Sequence, residues 1–308
     1  MTPARILVTG AEGFVGGHLL PALRAAFPAS AIFGTGESRL EVTDRDAVFA
    51  AVARLRPEVC VHLAAVSAIG AAVADPRRAW AVNLHGAINV GEAILAGAPD
   101  CVMIFVSSAE CYGASFKAGL AVAESAPLSP MNLYAATKAA AEMALAALAA
   151  RGLRLLRVRP FNHTGPGQTG AFVVPAFAGQ IARIEAGLQP PVIAVGALTP
   201  ERDFLDVRDV CAAYVACIAR FEALGDHGIV NIGSGVAVSI AGVLERLLAM
   251  SSRAITVRED PEKLRPVEIA RAVADAGLAR RCLGWAPVVP LAETLAAVLD
   301  AARSASVG

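Results

Sequence analysis

Short runs rich in β-branched and apolar residues recur through the first half of the chain, at residues 5–9, 31–35, 59–63, 103–107 and 153–159, with helix-patterned sequence between them. Strands joined by crossovers of helical length pair in parallel, and right-handed crossovers place helices on both faces of the sheet. The pattern predicts an α/β chain built on a doubly wound parallel sheet. Past Pro160 the texture changes, with Gly165-Pro166-Gly167, Pro190-Pro191 and Thr199-Pro200 separating shorter elements, and a smaller lobe is expected there. Within that half, residues 203–232 read as strand, helix over 207–220 and strand, a unit able to return to the first sheet. The helix expected over 132–150 is apolar almost all round, which suits burial on two sides, either deep in the monomer or between the sheet and a partner subunit.

Bulk properties narrow the function classes. Lys plus Arg and Asp plus Glu number 27 each, so net charge gives no reason to expect nucleic acid or an anionic membrane as a partner. The six cysteines, Cys60, Cys101, Cys111, Cys211, Cys217 and Cys282, have neither CxxC nor metal-ligand spacing, and are expected as buried free thiols with no metal site. Met1 leads directly into the first strand without a signal-peptide pattern, and the apolar stretch 139–150 is too short for a bilayer and contains Glu142. A cytoplasmic, soluble protein is expected.

The first strand runs straight into Gly10-Ala11-Glu12-Gly13-Phe14-Val15-Gly16 and then a helix. Glycines at these points allow a tight turn, close backbone approach to a pyrophosphate and tight helix packing, while the helix start offers unpaired N–H groups to the phosphates. A dinucleotide site is expected. An acidic group at the end of the second strand would select NAD by bonding the ribose 2′-OH. That strand instead ends in Thr35-Gly36, Glu37 comes late, and Ser38 with Arg39 suits a 2′-phosphate, which favours NADP(H) over NAD(H). The competing reading makes Arg39 a solvated loop residue.

Tyr134 and Lys138 stand four apart on the expected helix and so share a face. An ammonium beside a phenol favours the phenolate, which brings tyrosine towards the range where it can exchange a proton with a carbonyl. The run Phe105-Val106-Ser107-Ser108-Ala109-Glu110 is an apolar strand ending in hydroxyls, at the end of the sheet where ligands sit, so Ser108 is placed to polarise a reacting oxygen. Serines at strand ends also serve as helix caps.

Taken in order, Gly10, Gly13 and Gly16, His62-Leu63-Ala64-Ala65, Asn83, Ser108, Tyr134 and Lys138 resemble the motif set of the extended short-chain dehydrogenase/reductases. The resemblance implies a Rossmann-like domain over 1–162 plus about 203–232, and a smaller C-terminal substrate-binding lobe over about 163–202 plus 233–308. It implies a dinucleotide held by Gly10, Gly13, Phe14, Val15, Gly16, Thr35, Ser38, Arg39, Glu41, Val42, Leu63, Ala64, Ala65, Tyr134, Lys138 and Pro160. It also implies a homodimer across the helices carrying Asn83 and Tyr134, and a structural role for His62. Glu41-Val42 departs from the Asp-Ile-like pair usual in relatives near the adenine.

In the second half, Arg159-Pro160-Phe161-Asn162-His163-Thr164-Gly165-Pro166-Gly167-Gln168, Phe172-Val173, Arg202-Asp203-Phe204-Leu205-Asp206-Val207-Arg208-Asp209-Val210 and Leu264-Arg265-Pro266-Val267-Glu268 resemble the GDP-6-deoxy-4-keto-D-mannose reductases. By that resemblance Ser67, Ser108, Glu110, Asn162 and the backbone near Val173 face the GDP-sugar, Arg202 and Arg265 bind its phosphates, and Glu268 bonds the nucleoside ribose. The implied reaction reduces the C4 ketone of GDP-4-keto-6-deoxymannose to GDP-D-rhamnose or its C4 epimer, with Ser108, Tyr134 and Lys138 as the catalytic set. Glu110 stands where a GDP-mannose 4,6-dehydratase needs an extra carboxylate, so that reading stays open, as does a nucleotide-sugar epimerase. A non-catalytic dinucleotide sensor would need the glycine turn but not the acid-base set.

Overall fold

The computed structural model describes residues 1–36, 39–264 and 269–306. In chain order the elements are β1 (Arg5–Thr9), α1 (Phe14–Ala26), β2 (Ala31–Thr35), α2 (Arg45–Leu55), β3 (Val59–His62), α3 (Ile69–Ala74), α4 (Pro76–Trp80), α5 (Ala87–Gly97), β4 (Val102–Val106), α6 (Leu133–Ala149), β5 (Arg154–Pro160) and β6 (Asn162–Thr164). They continue with α7 (Val173–Glu185), β7 (Val192–Val195), β8 (Glu201–Asp206), α8 (Val207–Ala219), β9 (Ile229–Ile232), β10 (Ala237–Ser239), α9 (Ile240–Ala249), β11 (Thr256–Glu259), β12 (Arg271–Ala272) and α10 (Leu291–Ser306). The expected doubly wound α/β sheet is present: six parallel strands in the order β2-β1-β3-β4-β5-β9.

Each face of this sheet has its own core. On one side α1 and α8 pack Leu19, Leu23, Val210, Tyr214 and Ile218 over Ile6, Val8, Val61, Ile104 and Val158. On the other, α2, α5 and α6 bring Val48, Val52, Val90, Ile94 and Leu145 onto Leu7, Cys60, Met103 and Phe105. Alternate strand residues therefore feed opposite cores, as the period-two geometry of a strand requires. Strand order reverses between β1 and β3, which opens a crevice beyond their carboxyl ends.

Helix starts follow their capping residues. Asn132 accepts from the Ala135 amide at 2.8 Å and opens α6 one residue later than the expected start; Asp206 does the same for α8 through the Arg208 amide at 2.7 Å. All six cysteines are unpaired, and all but Cys282 are buried.

The second half holds a difference from expectation. β9 joins the first sheet beside β5, but β8 does not; it pairs with β10, β12 and β6 in a second, four-stranded sheet. The cause is local to Asp203, a fully buried carboxylate that accepts from the Ser234 and Gly235 amides at 2.8 and 2.9 Å and from the Ala274 amide at 3.2 Å. Those bonds hold β8 among the turn after β9 and the segment after β12. The chain leaves the first sheet at Pro160, enters the second at Asn162, and returns through α8. A further core of Val174, Phe177, Ile181, Val243, Leu247, Leu295 and Leu299 joins α7, α9 and α10. Among the described residues, no helix is long and apolar enough to cross a membrane.

Candidate active site

A cavity of about 870 Å³ lies over the crevice between β1 and β3 and is walled on its far side by β6 and the start of α7. Gly10, Gly13, Phe14, Val15, Gly16, Glu41, Val42, Leu63, Ala64, Ala65, Ser67, Ser108, Glu110, Tyr134, Lys138, Pro160, Asn162 and Val173 all border it. Thr35, Arg39 and Arg202 do not line it, and Ser38, Arg265 and Glu268 lie outside the described residues.

The glycine turn is built for close approach. Gly10 has φ +68°, and a Cβ there would stand 2.6 Å from the Ala64 amide nitrogen; at Gly16 it would stand 2.5 Å from the Ala11 Cα. At Gly13 an added Cβ meets only the Gly10 carbonyl oxygen, at 3.3 Å, so its remaining surroundings are open. Gly13 caps α1 without any side-chain bond, and the first helical turn holds no acidic residue. A bare, positively polarised helix start beside an open glycine fits a pyrophosphate. Among the described residues, Thr164 Oγ1, Gln168 Oε1 and Tyr214 OH are buried without hydrogen-bond partners and all three residues border the cavity, which gives it polar groups to offer a ligand.

Tyr134 and Lys138 share the inner face of α6, the phenol 9% exposed and the lysine 2%. Burial pushes the Tyr134 phenol well up; its hydrogen bond to Ser108 opposes the rise, while Cys111 and Glu110 reinforce it. Lys138 Nζ donates to the Val106 carbonyl at 2.6 Å and sits 4.7 Å from the centre of the Phe105 ring, at the end of β4. Burial draws Lys138 down to about 8, with Cys111 and Glu142 holding it up.

Ser108 combines both readings of a strand-end serine: its Oγ accepts from the Glu110 amide at 3.1 Å, capping the short helix Ala109–Ala118, and it reaches Tyr134. Glu110 is held by Asn132 Nδ2 at 3.0 Å. Asn83, within the Ala81–Gly86 turn, grips both backbone groups of Val66, at 2.8 and 3.1 Å, and Thr137 at 2.9 Å, which fixes the loop after β3 against α6. His62 shares a 2.8 Å hydrogen bond with Thr9 Oγ1, and burial with the Lys138 charge pulls it to about 3, so it is neutral.

Residue pattern and geometry agree with the sequence comparison: the profile of the NAD dependent epimerase/dehydratase family matches residues 6–233. The chain belongs to that family. Among members of the NAD dependent epimerase/dehydratase family, it is 34% identical to a GDP-6-deoxy-D-mannose reductase of Pseudomonas aeruginosa over 96% of each chain. The solved structure of RMD from Pseudomonas aeruginosa complexed with NADPH superposes with a TM-score of 0.88 at 32% identity, covering 98% of this chain and 99% of that one. A Thermus thermophilus UDP-glucose 4-epimerase complex with NAD gives 0.85 at 26% identity, with 98% and 99% covered.

Sequence reasoning missed several wall residues of this family member. Thr164, Gln168, Phe172 and Tyr214 border the cavity, and His163 stacks at 7° on Phe14 with centroids 6.3 Å apart, tying β6 to the glycine turn. Tyr214 reaches the cavity through the packing of α8 over α1. Arg202 donates from Nη1 to the carbonyls of Glu201 at 2.8 Å and Ile269 at 3.2 Å. Its neighbours Asp203, Asp206 and Asp209 bind backbone amides and anchor β8, α8 and the segment before α10.

Proposed function

We propose that this chain reduces the C4 ketone of a GDP-linked 4-keto-6-deoxymannose with a reduced nicotinamide dinucleotide, giving GDP-D-rhamnose or its C4 epimer. The observation that carries the reading is the placement of Ser108, Tyr134 and Lys138 in one cavity with the glycine turn, in a chain similar over its length to a reductase of that type. Phe14, Val15 and the three glycines hold the pyrophosphate, Leu63, Ala64, Ala65, Glu41 and Val42 border the adenosine half, and Pro160 with Lys138 borders the nicotinamide half. Bound there, the reduced nicotinamide supplies a hydride. Tyr134 donates its phenolic proton to the ketone oxygen, and Ser108 gives that oxygen a hydrogen bond as negative charge develops on it. Lys138, held on the Val106 carbonyl, keeps a positive charge beneath the phenolate left behind.

Ser67, Asn162 and the bare start of α7 at Val173 face the sugar diphosphate; Phe172 caps that helix without a side-chain bond, which leaves its amides to an anion. Arg202 serves by tethering the backbone at Ile269, next to the segment carrying Arg265 and Glu268. The division of labour follows the crossings at Pro160 and Asp206: residues 1–160 with 207–232 carry the dinucleotide, and the remainder takes the sugar nucleotide together with Ser67 and Ser108. The enzyme works in the cytoplasm as a homodimer across the helices carrying Asn83 and Tyr134, and on the second of these Met143 is 64% exposed.

Glu110 on the cavity wall favours a second reading, a GDP-mannose 4,6-dehydratase. Purified protein given GDP-4-keto-6-deoxymannose and reduced dinucleotide should form a 6-deoxyhexose and oxidise the dinucleotide. Consumption of GDP-mannose alone would instead establish the dehydratase.

A further inference from the structure

Glu142 continues the row that Tyr134 and Lys138 begin. The three stand four residues apart along the inner face of α6, and all are buried. A carboxylate at that depth requires partners, and both neighbouring strands supply them. Arg159 of β5 donates to it from Nε at 2.9 Å and from Nη2 at 2.5 Å, and Ser107, at the end of β4, donates from its hydroxyl. Ser107 stands between two residues of the candidate active site. Before it is Val106, whose carbonyl takes the Lys138 ammonium at 2.6 Å; after it is Ser108, whose hydroxyl reaches Tyr134. The Ser107 amide is itself held by the Val158 carbonyl of β5 at 2.8 Å.

On the reductase reading above, we propose that Glu142 is the positioning residue of the acid-base set: its carboxylate offsets the buried Lys138 charge, and its bond to Ser107 fixes Val106 and Ser108 against α6. The other groups near the lysine cannot take over that charge. His62 of β3 is neutral, pulled to about 3 by burial and by the Lys138 charge. Cys111, on the short helix after β4, also favours the ammonium, but burial pushes its thiol up to about 12, above the range where Lys138 titrates. Burial likewise raises the Tyr134 phenol on the same face of α6. Arg159 is a second buried cation, and a carboxylate bound to it lets two positive charges lie on the same side of the sheet.

The chain has three lysines, Lys117, Lys138 and Lys263, and Lys138 is the buried one, so NMR of protein isotope-labelled at the lysine Cε can follow its titration without any substrate. Glu142→Gln keeps the shape and a carbonyl oxygen for Ser107 and Arg159 while removing the charge. The Lys138 midpoint is expected to fall from about 8, with proton binding weakened about tenfold, and the alkaline limb of kcat/KM to follow it down. Ser107→Ala, which leaves the pair of Glu142 and Arg159 in place, is expected to lower kcat about tenfold with dinucleotide affinity unchanged, because it loosens the groups that orient the proton donor. An unmoved Lys138 midpoint in Glu142→Gln, or natural kcat in Ser107→Ala, overturns the assignment, and the second variant keeps the test decisive if the first does not fold. A shifted midpoint in a protein that leaves the keto sugar unreduced would count against the reductase alone, since the NMR titration does not depend on turnover.

Discussion

Lys138 is buried between one carbonyl and one aromatic face, and its proton is held only to about pH 8. Below that pH the site contains a cation, and above it the cation is lost. If the cation supports the phenolate, kcat/KM should fall with unit slope above about pH 8, and Lys138→Arg should push that limb to higher pH. A pH–rate profile that stays flat through pH 9 to 10, by order-of-magnitude extension of the same argument, would remove Lys138 from the proton chemistry. Tyr134→Phe should lower kcat by about 10²- to 10⁴-fold while dinucleotide binding by titration persists. The residue types and spacing of this set were legible because i,i+4 geometry is a local property of a helix. The direction of the lysine was not, because the Val106 carbonyl it binds comes from β4, remote in the chain.

At the scale of elements, α6 is fixed to the sheet by a polar network one turn beyond Lys138. Glu142, 1% exposed, takes two bonds from Arg159 of β5, at 2.9 and 2.5 Å, and another from Ser107 at the end of β4. Burial works against the Arg159 charge, and the bonds to Glu142 overcome it, so the guanidinium stays protonated. Glu142→Leu alone should cost about 3–5 kcal/mol in denaturant unfolding, because it strands Arg159, whereas Glu142→Leu with Arg159→Met should recover most of that loss. In the lobe, Arg303 of α10 holds the Glu185 carboxyl of α7 down to about 2, with burial opposing and the Ser252 amide assisting. A depressed carboxyl contributes stability above its unfolded value, so Arg303→Met should cost about 1 kcal/mol at neutral pH, Arg303 being partly exposed. That difference should vanish as the pH falls from about 4.5 to about 2. Sequence periodicity located α6, α8 and the parallel strands because both patterns are local. It misplaced β8, because the bonds that decide its sheet come to Asp203 from residues 234, 235 and 274.

Across the whole molecule, the chain crosses between sheets at the rim of one cavity, so the glycine turn, the acid-base set and the start of α7 converge although they span residues 10 to 173. That convergence was legible in part, through the ordered motifs, and the rest depends on how loops remote in the chain meet. In the proposed reaction, hydride reaches C4 of the sugar while Tyr134 supplies the proton. The decisive measurement is a single-turnover reaction of GDP-4-keto-6-deoxymannose with dinucleotide deuterated on the transferred position of the nicotinamide, read by NMR of the isolated sugar. Deuterium is expected at C4 in one-to-one yield with oxidised dinucleotide. A product without deuterium at C4, or no oxidation of the dinucleotide, would overturn the proposed reduction.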